Sequence, residues 1–327
     1  MKYFLSILII LSLSFISLEN ENVDYSLIIN NVRKDVVKKA YSNLPSRTSQ
    51  NILKMCNLMN KAKEDYSLNQ YEAVYLVYYW ISLNIKINCE DAFSQYSSAV
   101  NTFNEGKSSS VGISALFSTM VSNLGIQSNN IEGVSKINTD NNENGELIET
   151  KEYVWNYALI ENKYYLFDPT KGTGYCNGKT FVKQNLDFFF GTNPDYLIYT
   201  NYPDNSKWQL LDNIVSKSQF DSWPYVNKWF YLYEFKTFSP VTYEIELKPN
   251  LEIELTFDKS KNLSPYCDKV IYKNKVLDFS PYSKCKISDG VYKVTFEGNE
   301  IIDYIILYAG YNYETQKKSI IFYKIKK

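Results

Sequence analysis

The sequence contains no histidine in 327 residues. Histidine is the side chain that titrates near neutrality, and it is the usual base behind a Ser or Cys nucleophile. Its absence excludes a conventional Ser–His or Cys–His hydrolase. The chain also lacks a charge excess, with 35 Lys and Arg against 36 Asp and Glu. Charges of both signs are dispersed, so no basic stripe suits nucleic acid. Beyond the N-terminal segment no apolar run is long enough to span a membrane.

The N-terminal segment has the form of a secretory signal. Lys2 is followed by the apolar run Phe4 to Leu18, and then by Glu19-Asn20-Glu21. Residues 1–18 are expected to be cleaved near Ser17 or Leu18, with an uncleaved anchor as the alternative. The mature chain is then expected outside the cell or in the secretory lumen, with no transmembrane span. Such a compartment permits disulfides. The five cysteines are Cys56, Cys89, Cys176, Cys267 and Cys285. Cys267 and Cys285 share one β-rich segment and are the expected pair. The odd count leaves a thiol free or bonded to another chain. The 30 tyrosines suit either an aromatic binding surface or a bias toward AT-rich codons.

Residues 23–90 read as helical. Asn69-Gln-Tyr-Glu72 has the form of a capping box opening an apolar helix over Ala73 to Ile85. A second helix is expected to start near Ser109 or Ser110 and to end at Gly125. Asp140-x-Asn142-x-Asn144-Gly145 matches half of a calcium loop. Its twelfth position is Lys151 where a bidentate Glu is needed, so a solvated Asn-rich loop is expected and no metal or cofactor. Val154 to Ile160 and Lys163 to Asp168 flank Glu161-Asn162 as a hairpin. A two-residue turn pairs positions whose numbers sum to 323, which puts Tyr153 diagonal to Asp168 on one face. From Phe235 onward short alternating runs, such as Tyr292-Lys-Val-Thr-Phe296, argue a β-sandwich.

Three segments resemble the transglutaminase-like superfamily, a papain-like fold, and within it the kyphoscoliosis-peptidase branch. Lys107-Ser-Ser-Ser-Val-Gly112 is similar to the nucleophile segment, whose Cys lies two residues before a Gly. Tyr153-Val-Trp-Asn156 is similar to a His-x-Trp-Asn strand. Tyr165-Leu-Phe-Asp-Pro-Thr170 is similar to the segment carrying the third catalytic residue. Trp208-Gln-Leu-Leu211 and Asp289-Gly-Val-Tyr292 extend the likeness. The resemblance implies an α+β chain: a helical region over 19–69, a transglutaminase-like domain over 70–215, a linker over 216–234 and a β-sandwich over 235–327.

The chain departs from the family at the chemistry. The family's Cys position is Ser110 and its His position is Tyr153; Asp168 alone keeps the residue type. A serine gains little from a helix dipole, and a tyrosine is a poor base near neutrality. Ser110, Tyr153 and Asp168 are therefore expected as a degenerate triad, with Trp155 and Asn156 lining its cleft. Core packing is the alternative for Trp155. A protein-binding role follows from a kept scaffold with lost chemistry. The alternatives are a Ser nucleophile served by Lys107 or Lys171, a relocated Cys176 nucleophile, or a structural surface component.

Overall fold

The computed structural model describes residues 28–138, 147–184, 186–273, 276–312 and 316–326. The Phe4 to Leu18 run and the Asp140 to Gly145 pattern lie outside them. Among the described residues no helix is long and apolar enough to cross a membrane.

The first half of the chain is built around one buried helix. Lys34–Ser42 (α1) packs by its Val37 and Ala40 face against Gln70–Asn84 (α3), and Ile52–Asp65 (α2) turns Met55, Cys56 and Met59 into the same core, against α1 and the helix Ser110–Asn123. The capping box of α3 forms: Asn69 accepts from the Glu72 N–H, and the Glu72 carboxylate accepts from the Asn69 N–H. Glu72 is fully buried, and the Arg33 guanidinium reaches it with bonds of 2.6 and 2.7 Å. Desolvation raises the Glu72 pKa, but Arg33 and the capped N–H groups outweigh it and hold the carboxyl below its usual range. The apolar cluster runs without a break from Ile28 to Phe190. The division expected at residue 70 is therefore corrected: the early helices share the core of the domain, because α3 is apolar on most faces and needs cover on all of them.

After α3, Lys86–Ile87 (β1) leads to Ala99–Glu105 (α4), then to Lys107–Ser108 (β2), which pairs with β1 in parallel. Ser110–Asn123 (α5) follows, starting where the sequence placed it and ending before Gly125 at φ +77°. The main sheet is formed by Ser128–Asn138 (β3), Ile148–Ile160 (β4) and Lys163–Phe167 (β5), flanked by Phe190–Thr192 and Asn201–Pro203. The β4–β5 hairpin has the expected register, with Asn156 opposite Phe167 and Tyr157 opposite Leu166. Glu161 and Asn162 both have positive φ, 49° and 64°, as a two-residue turn of this twist needs. Between β5 and residue 190 lie Pro169–Thr173 (α6) and a hairpin, Gly174–Asn177 with Thr180–Lys183.

The second half is a sandwich. Phe235–Ser239, Glu252–Phe257, Val291–Thr295 and Cys285–Ser288 form a four-stranded sheet. Tyr266–Lys273, Val276–Pro281, Tyr304–Ala309 and Lys318–Lys326 belong to the facing sheet. Ile253, Leu255, Val294, Ile305 and Leu307 are fully buried between them. The linker expected over 216–234 is corrected to an ordered segment. Helices Lys217–Ser222 and Lys228–Leu232 and strand Tyr225–Val226 bury Phe220, Val226 and Phe230, and the strand pairs with Lys318–Lys326. Its aromatic side chains, Phe220, Trp223, Trp229 and Phe230 among them, give the segment a reason to dock.

The cysteines also differ from expectation. The disulfide joins Cys89 to Cys176, 87 residues apart. Cys267 and Cys285 face each other across the sandwich with sulfurs 3.0 Å apart, and they are unbonded. Cys56 is buried on α2 with its thiol pushed up to about 11 by desolvation. It is out of reach of another chain.

Candidate functional site

The site begins with where β5 stops. The β4–β5 register ends at the Asn156–Phe167 pair, so further along β4 the backbone of Val154 needs other partners. Helix α5 supplies them. The Ser110 hydroxyl accepts from the Val154 N–H at 3.3 Å, and the Ser114 hydroxyl, one turn on, donates to the Val154 carbonyl at 2.9 Å. Ser110 is 1% exposed at the first turn of α5. Gly112 makes this seating possible: a Cβ there would stand 2.1 Å from the Ser108 hydroxyl and 2.3 Å from that of Thr102.

The two faces of β4 divide the remaining work. Val154 and Asn156 face α5, and the Asn156 amide donates to the Ser114 carbonyl at 3.0 Å. Tyr153, Trp155 and Tyr157 face the other way, into a cluster with Ile131, Leu166 and Leu197. From this face the Tyr153 hydroxyl donates to Asp168 at 2.9 Å. Burial comes first, then the Asp168 charge, in pushing the Tyr153 phenol well above its usual range. It keeps its proton.

Asp168 is fully buried and does several structural jobs. It caps α6 by accepting from the Lys171 N–H at 2.9 Å, with Pro169 in the first helical position. Its other oxygen accepts from the Asn201 amide at 3.2 Å and lies 3.7 Å from the Lys171 ammonium. That ammonium sits 5.2 Å from the centre of the Tyr153 ring and donates to Ser135 at 2.9 Å, to Thr200 at 3.3 Å and to Asn201. Burial pushes Lys171 down to about 8 against the pull of Asp168. Sequence reasoning placed Ser110, Tyr153 and Asp168 but missed Asn201, which carries no local signal because it arrives from a different edge of the sheet.

A cleft of about 690 Å³ opens beside this network, between the main sheet and the sandwich. Of the three triad positions Tyr153 alone lines it. Trp155 and Asn156, expected in the lining, are corrected to interior positions: they are 1% and 0% exposed. The reason is the strand alternation, which turns Trp155 into the apolar cluster and Asn156 under α5. The Trp155 indole N–H finds no hydrogen-bond partner among the described residues. Cys89 and Cys176 pin one wall of the cleft. Cys176 is thus consumed in a disulfide and is no nucleophile. Lys107 is exposed on β2, and Lys171 is engaged elsewhere. Among the described residues neither gives Ser110 a hydrogen bond. Among the described residues no group of three or more Cys, Asp or Glu side chains converges as a metal site requires.

Residues 58–169 match the transglutaminase-like superfamily. Kyphoscoliosis peptidases of Mus musculus and Homo sapiens are 29% and 28% identical over an alignment of 168 residues that covers 49% of this chain. The match spans 25% of each relative's own length. A crystal structure from Cytophaga hutchinsonii described as a cysteine protease aligns at 18% identity over 47% of this chain and 48% of that one, with a TM-score of 0.28. The superfamily match ends at Pro169, so it contains Ser110, the Tyr153 strand and Asp168 in order. Residues 58–169 thus match the transglutaminase-like superfamily, and about half of the chain is similar to kyphoscoliosis peptidases.

Proposed function

We propose that this chain is a catalytically inactive member of its branch that acts as a protein-binding module. The observation that carries the proposal is the state of Tyr153. At the position of the family's base stands a buried phenol that donates its proton to Asp168, where a base must accept one. Ser110 is buried and its hydroxyl is taken by the Val154 N–H. Loss of a nucleophile or base in such sites costs on the order of 10⁴ to 10⁶ in rate, and here both positions have changed. What remains is a polar network that fixes β4, α5 and α6 beside an open cleft.

Purified full-length protein, assayed for peptide hydrolysis and for amine incorporation, is expected to show no turnover above background, with Ser110→Ala indistinguishable from it. Turnover that Ser110→Ala abolishes sinks the proposal and restores a Ser-nucleophile enzyme. We place the protein outside the cell or in the secretory lumen. The apolar Phe4 to Leu18 run and the Cys89–Cys176 disulfide support that placement. Retention of the expressed chain in the cytosol counts against it.

A further inference from the structure

The cleft beside Tyr153 has a one-sided charge. Five lysines line it, Lys136, Lys171, Lys228, Lys317 and Lys318, and no Asp or Glu is among its described lining residues. The chain as a whole has a net charge of −1, so this is a local arrangement. Three of the five ammonium groups are committed. Lys136 donates to the Phe220 and Trp223 carbonyls at 2.6 Å each, closing the end of the Lys217–Ser222 helix. Lys171 is held by Ser135, Thr200 and Asn201. Lys317 donates to the Tyr311 carbonyl at 2.5 Å.

Lys228 and Lys318 differ. Lys228 makes no hydrogen bond or ion pair among the described residues; its neighbours are the rings of Phe189 and Trp229, 5.9 and 5.8 Å from the ammonium. Lys318 has a single long bond, 3.4 Å, to the Gln316 side chain, and its ammonium also lies 5.8 Å from the Trp229 ring. Two ammonium groups thus bracket one indole, and no described carboxylate balances them. Burial, then Lys171, then Lys318 push Lys228 down to about 8. A half-buried cation left this way is unfavourable for the empty protein, and it gains most from an anion that enters with its own apolar surface.

We propose that this cleft binds an acidic peptide segment, with carboxylates on Lys228 and Lys318 and an apolar side chain on Trp229 between them. The proposal deepens the binding-module assignment and rests on it. The chemistry selects a peptide over a sulfated glycan. Arg33 and Arg47 are the chain's arginines and neither lines the cleft, so the bidentate fork that suits sulfate and phosphate is missing. Lysine point charges serve carboxylates, and Tyr175, Tyr196 and Tyr231 give the remaining wall apolar surface with polar tips. The volume lies within the usual range for pockets that enclose a ligand.

The test uses the full-length protein and a fluorescein-labelled Glu-Phe-Glu-Tyr-Glu-Leu peptide, read by anisotropy. Its Gln-for-Glu counterpart and a heparin hexasaccharide serve as comparisons. The Glu peptide is expected to bind, its counterpart at least roughly tenfold more weakly, since a charge-assisted hydrogen bond has that effect or more. Lys228→Met and Lys318→Met are each expected to weaken binding by roughly tenfold. Lys38→Met, on the exposed face of α1, leaves it unchanged. Equal affinity of Lys228→Met and wild type overturns the site. Lys228-dependent binding of the hexasaccharide without binding of the peptide overturns the ligand class. Mass spectrometry of the same peptide separates this proposal from the one above. Cleavage lost in Ser110→Ala overturns the inactive assignment and leaves the acidic-peptide cleft standing. Intact peptide with no lysine dependence does the reverse.

Discussion

Two polar regions lie side by side in this molecule and have opposite bookkeeping. Around Asp168 every strong group is answered: Tyr153, the Lys171 N–H and Asn201 donate to it, and Lys171 lies against it. Around Trp229 two ammonium groups face a cleft with no described carboxylate. The first region satisfies itself, which is how buried polar groups stabilise a fold. The second is left incomplete, which is how a surface awaits a ligand. In the proposed reading the Asp168 region is structural, and the binding chemistry lies at Lys228 and Lys318 on the sandwich side of the cleft.

The largest effect expected from this comparison is at Asp168. Asp168→Ala leaves the Tyr153 hydroxyl and the Asn201 amide without their acceptor and the Lys171 ammonium without its counter-charge. Thermal or urea unfolding is expected to show a loss of about 4 kcal/mol. A loss near zero would break the claim that the network is structural. Next comes the cleft wall. Cys176→Ser opens the Cys89–Cys176 link, which closes a loop of 87 residues, and is expected to cost about 4 kcal/mol, measured by the same unfolding against wild type under non-reducing conditions.

Lys228 is expected to act with the opposite sign. Its folded pKa of about 8 lies below its ordinary 10.5. Between those values the unfolded chain holds a proton that the folded chain has shed, so stability rises with pH across that window. The burden is fully present below pH 8. Lys228→Met is therefore expected to stabilise the empty protein by about 1–2 kcal/mol at pH 7, with the discount that partial exposure requires. The advantage should fade as pH approaches 10.5. A destabilised Lys228→Met variant at pH 7 would show that the lysine has an internal partner. The smallest effect belongs to Ser110. Ser110→Ala removes one long hydrogen bond to Val154 and is expected to cost under about 1 kcal/mol. A larger loss would sharpen the contrast by making the old nucleophile position a structural requirement.

Much of the site was legible because its signals are local. The start of α5, the capping box at Asn69, the turn at Glu161-Asn162 and the Tyr153–Asp168 diagonal each follow from spacing within a few residues. The same spacing misassigned Trp155 and Asn156, since alternation tells which residues share a face and not which face meets the cleft. The 216–234 segment was misread because its docking depends on Lys318–Lys326, a strand a hundred residues on.

The sequence alone determined that no histidine chemistry operates here, that Ser110, Tyr153 and Asp168 stand in segments resembling the family's catalytic ones, and that α3 must be buried. Only the tertiary structure decided which cysteines pair, that Asn201 and Lys171 complete the Asp168 network, and that Lys228 and Lys318 flank one indole. The physical reason is range. Propensities, caps and turns act over a few residues, whereas burial, disulfide reach and the balance of charges in a cleft depend on side chains that the fold alone brings together.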